Sequence, residues 1–195
     1  ALYNFNKTKE MVNWQGPYLG TNIPGEYPVQ KALNSLHKNE IFGIANGRAE
    51  FGPRALGNRS LMADPRGGDI KDRLNEIKKR QKFRPFAPII LEEFAHIYFD
   101  MPTTQIPYMQ FVVKCKYPDT FPAIVHHDGT SRVQTVNRDQ HPGLYKLLRE
   151  FHDATGCPML VNTSLNIKGQ PIVNTIADAQ DFAEHYGVEV HTSDV

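Results

Sequence analysis

Cysteine is scarce in this chain of 195 residues: Cys115 and Cys157 are the two present, and tryptophan occurs once. A chain of this length is long enough to bury a core and does not need two thiols to staple it. They therefore read as reduced, structural core residues of a cytoplasmic protein. Long hydrophobic runs are missing as well. No stretch approaches the ~18 apolar residues of a membrane span, and the opening "ALYNFNKTKE" has no apolar segment of the signal-peptide kind. Charge of one sign does not dominate. The formal net charge is +1, so bulk electrostatics gives no reason to expect nucleic acid as a partner. There is no CxxC, no HExxH, no nucleophile triad, no internal repeat and no low-complexity tract.

The charge is nevertheless unevenly placed. From Arg48 to Arg84 there are seven Arg and four Lys against five Asp or Glu, a local +6, and the remainder of the chain carries −5. A basic block inside a near-neutral protein points to a small anionic ligand. It opens with "GRAEFGPRALGNRS" (47–60), directly behind the apolar run "IFGIA". This stretch nearly matches the phosphate-loop pattern GxxxxGK[ST], but Asn58 stands where lysine belongs and Ser60 comes one residue late. The match is rejected on that ground. Its physics remains available: glycines let backbone N–H groups approach an anion, and Arg48, Arg54 and Arg59 can fork onto phosphate oxygens. The alternative is that these arginines pair with Glu50 and Asp64.

Periodicity organises the rest. The Gly/Pro-rich 18–28 reads as loop. Apolar residues at 29, 32, 33 and 36 predict an amphipathic helix, and 41–45 a short buried strand. Asp69 is positioned to cap a helix carrying Ile70, Leu74 and Ile77. Pro85 and Pro88 make "FRPFAPIIL" extended. Helices are expected over "EEFAHIYF", over "GLYKLLREFHDATG" with Gly156 as its stop, and over "IADAQDFAEHYG". Strands are expected at "YMQFVVKCKY" and "PMLVNTSLN", with a hairpin about Asp128-Gly129. Alternating helices and strands with one hairpin imply a single α/β domain with a mixed, twisted sheet.

Three further stretches carry candidate chemistry. If "KKRQKFR" is extended, Lys78, Arg80, Lys82 and Arg84 share one face, and four cations there repel each other unless an anion or acidic partner is present. A solvated edge strand is the alternative. On a strand, "LVNTSLN" places Asn162, Ser164 and Asn166 on one face. They suit a small hydrogen-bonding ligand such as a carbamate or phosphate, or else a sheet end facing water. In "HHDGTSR", adjacent histidines on a strand face opposite ways, which argues against a metal site, and Arg132 is the better ligand candidate.

These blocks, with "KDRLN", "FRPFAP", "HHDGTSRVQTV", "TGCPMLVNTSLN" and "GQPIV", resemble the C-terminal domain of the O-carbamoyltransferase family, which carbamoylates nodulation factors, cephem antibiotics and aminoglycosides. The resemblance implies a YrdC-like fold, a twisted mixed sheet flanked by helices, over 29–195. Residues 1–28 would then be a lead-in from a transfer domain. Lys78-x-Arg80 and Ser164-x-Asn166 match the YrdC-like signatures. The activity implied by the resemblance is formation of carbamoyl-adenylate from ATP and carbamoyl phosphate, with magnesium on the nucleotide. Lys78, Arg80 and Arg132 would be catalytic. Arg48, Arg54, Arg59, Arg84, Asn162, Ser164 and Asn166 would bind the substrates. An N-terminal domain of the actin and sugar-kinase type, in the same or another chain, would pass the carbamoyl group to an acceptor hydroxyl. The other reading is a non-catalytic nucleotide-binding or interaction domain. The sequence departs from the family pattern at Gln81, Leu165 and Ile176.

Overall fold

The computed structural model describes residues 16–194. Residues 1–15 of the expected lead-in lie outside the described residues. The order of elements is β1 (Tyr18–Ile23), α1 (Val29–His37), β2 (Phe42–Ala45), β3 (Gly47–Glu50), β4 (Arg59–Ala63), α2 (Ile70–Ile77) and β5 (Ala87–Leu91). A 3-10 turn (Glu92–Phe94) leads into the short α3 (Ala95–Tyr98). Then come β6 (Val112–Lys114), β7 (Thr130–Arg132), β8 (Gln134–Val136), α4 (Pro142–Thr155), β9 (Met159–Ser164), α5 (Ile176–Tyr186) and β10 (Val190–His191).

A six-stranded sheet of order β10-β2-β4-β9-β5-β8 forms the centre. It is mixed: β10 runs parallel to β2 and β8 parallel to β5, while the four strands between alternate antiparallel. β2 and β4 are buried along their whole length, so neither alternates between buried and exposed residues, and β4 buries Arg59 and Ser60 along with its apolar Leu61, Met62 and Ala63. The helices supply the covering layer. α4 packs against α1 and across β5 and β9. It does so because Leu144, Leu147, Leu148 and Phe151 recur at helical spacing and are all buried. His141 Nδ1 accepts the backbone N–H of Leu144 at its start, Pro142 occupies its first turn, and Gly156 at φ 74° ends it in the left-handed region. α5 begins with a capping box between Thr175 and Asp178.

Several expectations change. Residues 18–23 are not loop: they pair antiparallel with β3, Asn22 opposite Arg48. The arginine–glycine stretch is loop only over 51–58, flanked by β3 and β4. Asp69 sits at the start of α2 but caps nothing. Its backbone is already helical and its carboxylate faces Arg73 at 3.5 Å. The turn at Asp128-Gly129 exists, with the N–H of Gly129 donating to the carbonyl of His126. The strand after that turn makes its ladder with β6, and it keeps the hairpin's closing bond, with the N–H of His126 donating to the carbonyl of Thr130 at 2.7 Å. Both cysteines are buried and free, and burial pushes the Cys157 thiol up to about 11.

Candidate anion-binding site

The loop at 51–58 is shaped by the chain's own carboxylate. Glu50, at the end of β3, is 8% exposed. Its Oε1 accepts the backbone N–H groups of Leu56 at 2.7 Å, Asn58 at 2.8 Å and Arg59 at 3.3 Å. Converging N–H groups make an anion cradle, and here the anion is internal. Burial raises the Glu50 carboxyl above its ordinary range against the pull of those N–H groups.

Arg59 takes no place in a ligand cleft. It is fully buried, and its guanidinium donates to the carbonyls of Asn46, Gly47 and Asn58, of Thr21 on β1, and of Asn174 before α5. The fork that suits phosphate is spent on tying four chain segments together. Arg48 is exposed, leans on the carbonyl of Gly20 at 3.4 Å, and is outside the cleft. Neither arginine pairs with Glu50 or Asp64; the arginine on Asp64 is Arg66, at 2.6 Å.

The other arginines converge. A cavity of about 410 Å³ opens where the 51–58 loop, the segment after α2 and the ends of β7 and β9 meet. Arg54, Arg80, Arg84, Arg132, Asn162 and Ser164 all line it, within the size range of small-ligand sites. The geometry of the segment after α2 differs from the extended form. α2 ends in a Schellman motif: Lys79 is left-handed at φ 51°, the N–H of Arg80 donates to the carbonyl of Asn75 and that of Lys79 to Glu76. Lys78 and Arg80 therefore diverge, and Lys82 turns outward to pair with Glu76 at 2.6 Å. Asn75, fully buried, holds the segment from Arg80 to Arg84 in place. Its side chain accepts Arg80 Nε at 2.7 Å and donates to the carbonyls of Lys82 and Arg84. Arg80 also lies 4.2 Å over the Phe86 ring.

Lys78 sits directly behind the cleft, 4% exposed. Its amino group donates to Asn166 Oδ1 at 2.7 Å, to Ser164 Oγ at 3.1 Å and to the carbonyl of Ser164. Ser164 Oγ in turn donates to Asn166 Oδ1 at 2.6 Å. Ser164 opens onto the cleft, whereas Asn166 lies past the end of β9 and faces a neighbouring cavity lined by α5. Asn162 fixes the floor: its Nδ2 donates to the carbonyl of Ala55 and to Gln134 Oε1, and Gln134 holds the carbonyl of Leu56.

Charge in the cleft is uncompensated. The lining contains no carboxylate, and among the described residues none of Arg54, Arg84 and Arg132 pairs with one. Burial, then the nearby Arg80 charge, lowers Lys78 to about 7. Burial, then Arg84, lowers Arg80 to about 10. Burial, then Arg132, lowers Arg54. Such crowding is tolerated where an anion completes the site. Without a carboxylate the lining also offers no ligand set for a resident magnesium ion, so the donor set fits a cation arriving on phosphate oxygens. Among the lining residues that sequence reasoning leaves out of the site are Phe83, Met109, Thr163, and His126, weighed only as a metal ligand. Phe83, Met109 and His126 reach the cleft through loops whose course the sequence does not display, and alternation assigns Thr163, on β9, to the opposite face from Asn162 and Ser164.

Comparison with known proteins places this geometry. The carbamoyltransferase C-terminus family matches residues 33–193, and the chain belongs to that family. It is 47% identical over 153 residues to nodulation protein NolO of Bradyrhizobium diazoefficiens, covering 76% of this chain and 28% of that protein. It is 39% identical over 173 residues to the 3'-hydroxymethylcephem-O-carbamoyltransferase of Amycolatopsis lactamdurans, covering 88% and 32%. The chain thus spans about a third or less of the curated relatives' length. Full-length HypF, solved in a phosphate- and nucleotide-bound form, superposes with a TM-score of 0.61 at 18% identity, over 86% of this chain and 21% of that one. The mixed sheet flanked by helices is the YrdC-like fold expected from the resemblance.

Proposed function

We propose that this chain is the adenylate-forming part of an O-carbamoyltransferase. In this reading the cleft binds carbamoyl phosphate and ATP and yields carbamoyl-adenylate and pyrophosphate. Arg54, Arg80, Arg84 and Arg132 hold the anionic groups, and Lys78 acts through Ser164. One observation carries the reading: four guanidinium groups face a cavity of ligand size with no carboxylate among them. The reaction brings two polyanions within bonding distance, and fixed cations remove the repulsion that keeps them apart in water. The bound state of HypF and the named activity of the cephem carbamoyltransferase agree with it. Magnesium would supply charge neutralisation on the ATP phosphates. Transfer to an acceptor hydroxyl then falls to a separate domain of the actin and sugar-kinase type. The test is pyrophosphate release from ATP by the purified chain, with and without carbamoyl phosphate. Release that depends on carbamoyl phosphate is expected. Tight binding of both ligands with no release would instead identify a nucleotide-binding module without turnover.

A further inference from the structure

His126 lines the same cleft, and neither anion binding nor the Lys78–Ser164 contact uses it. It is the imidazole among that lining; the other polar side chains there are arginines, which stay charged, and Asn, Ser and Thr, which do not exchange protons near neutrality. Lys78 is committed as a donor to three acceptors. The turn around His126 is tightly fixed. Its N–H donates to the carbonyl of Thr130 at 2.7 Å. Asp128 Oδ1 accepts both the N–H of Thr130 at 3.0 Å and the Thr130 hydroxyl at 2.7 Å. Thr130 Oγ1 also meets His126 Nδ1 at 3.5 Å. A hydroxyl has one proton, and the shorter bond gives it to Asp128. The contact with the ring can then form only with the proton on Nδ1 and the threonine oxygen accepting. That leaves the lone pair on Nε2, the ring nitrogen able to accept a proton. Asp128 stays ionised to complete the relay, because the Thr130 hydrogen bonds lower its carboxyl.

The proposed reaction needs such a group. Carbamoyl phosphate, water and ATP give carbamoyl-adenylate, phosphate and pyrophosphate; without water the oxygens do not balance. We propose that His126 is the proton acceptor for that water, held in the Nδ1–H tautomer by Thr130 and Asp128. This rests on the reading of the cleft as a carbamoyl phosphate site. The water oxygen bonds to the carbamoyl carbon as its proton passes to Nε2. The carbon–oxygen bond to the phosphate then breaks, the leaving phosphate takes the proton back from Nε2, and carbamic acid ionises to the carbamate that meets ATP. The charged groups facing His126 are Asp128 on its own turn and the four cleft arginines, with Lys78 behind Ser164.

The experiment combines ring nitrogen NMR with kinetics on the whole chain. Nitrogen-15 histidine spectra, with His126→Gln assigning the signal, are expected to show His126 protonated on Nδ1. Thr130→Val should shift it toward the other tautomer, and Thr130→Ser should keep it. With ATP, magnesium and carbamoyl phosphate, His126→Gln is expected to lower phosphate release at least about 100-fold, the lower end for general base catalysis, while the affinity for carbamoyl phosphate stays within about threefold, well under a kcal/mol. Thr130→Val should lower kcat alone, with serine restoring it. A ring protonated on Nε2, or His126→Gln turning over at the wild-type rate, overturns the proposal while leaving the cleft reading intact. A wild-type chain that neither binds carbamoyl phosphate nor releases phosphate overturns both.

Discussion

Replacing Arg59 with methionine is expected to unfold the domain, whereas replacing Arg132 is expected to empty the cleft. Both arginines belong to basic parts of the chain, but their surroundings are opposite. The Arg59 guanidinium is fully buried and its donors reach five backbone carbonyls, on Asn46, Gly47, Asn58, Thr21 and Asn174. Methionine fills much of the volume but donates nothing. Each stranded buried acceptor costs about 1–3 kcal/mol. Taking the low end, because water re-enters some of the space, the loss is about 5 kcal/mol, comparable to the whole stability of many domains. Relief of the buried charge offsets part of this, but Glu50 lies close enough for its charge to be felt at Arg59 and would lose that neighbour. Arg59→Lys keeps the charge with three donors in place of a planar fork, so about half the loss should remain. The assay is urea unfolding followed by far-ultraviolet circular dichroism. With a slope of about 2 kcal/mol per molar, the midpoint of Arg59→Met should fall by about 2 M or more. A midpoint within about 0.5 M of wild type, together with lost phosphate binding, would return Arg59 to the ligand role and refute the structural one.

The cleft makes its own predictions. Arg132→Ala and Lys78→Ala should each weaken carbamoyl phosphate binding by about 1.5–3 kcal/mol, roughly 10- to 150-fold, without unfolding the domain; unchanged titration calorimetry in both would contradict the assignment. Lys78, lowered to about 7 from 10.5, is charged below that pH and neutral above it. Anion affinity should therefore fall as pH rises through about 7 or slightly higher, since the anion itself holds the proton on. In the ligand-free domain the sign is opposite: the burden of a buried charge is full below about 7 and is relieved between there and 10.5, so stability gains from Lys78 as pH rises. Titrations of pyrophosphate across pH, wild type against Lys78→Ala, read the first effect; a wild-type profile no steeper than the variant's counts against it. Gly57→Ala should destabilise the fold, because a Cβ there would sit 2.5 Å from Leu144 Cδ2 at φ +121°; an unchanged melting temperature would contradict this. Finally, the chain alone should release pyrophosphate without carbamoylating any acceptor, and a carbamoylated acceptor formed without a second polypeptide, seen by mass spectrometry, would overturn the division of labour.

Much of this architecture is legible from one-dimensional pattern. α1, α4 and α5 follow from their apolar spacing, and Gly156 stops α4 as expected. Convergence of Arg54, Arg80, Arg84, Arg132 and Ser164 on one cavity is also foreseeable from charge clustering with the family signatures. The parts that are not legible have local causes. Lys79 ends α2 in the left-handed region without the glycine that usually advertises it, so the lysine–arginine stretch looks extended. The role of Glu50 depends on a loop folding back on it, and the burial of Arg59 depends on β1 and the segment before α5 arriving from far along the chain. A basic side chain looks the same in sequence whether it awaits a phosphate or a ring of carbonyls.

The strand order of the central sheet has a consequence for how the protein is made. β9 lies between β4 and β5, yet both of those precede it in synthesis. Until Met159–Ser164 has emerged, β4 and β5 each present an open edge, and an open edge pairs readily with whatever strand is nearby. At about 5–20 residues per second the ribosome needs about 5–20 s to travel from Arg54 to Ser164. Over that interval the cleft arginines emerge one by one, and the arginine side, complete only at Arg132, still lacks its floor. Insertion of β9 therefore closes the sheet and creates the site in one event. Chains truncated before it should be found in aggregates rather than as half-active domains.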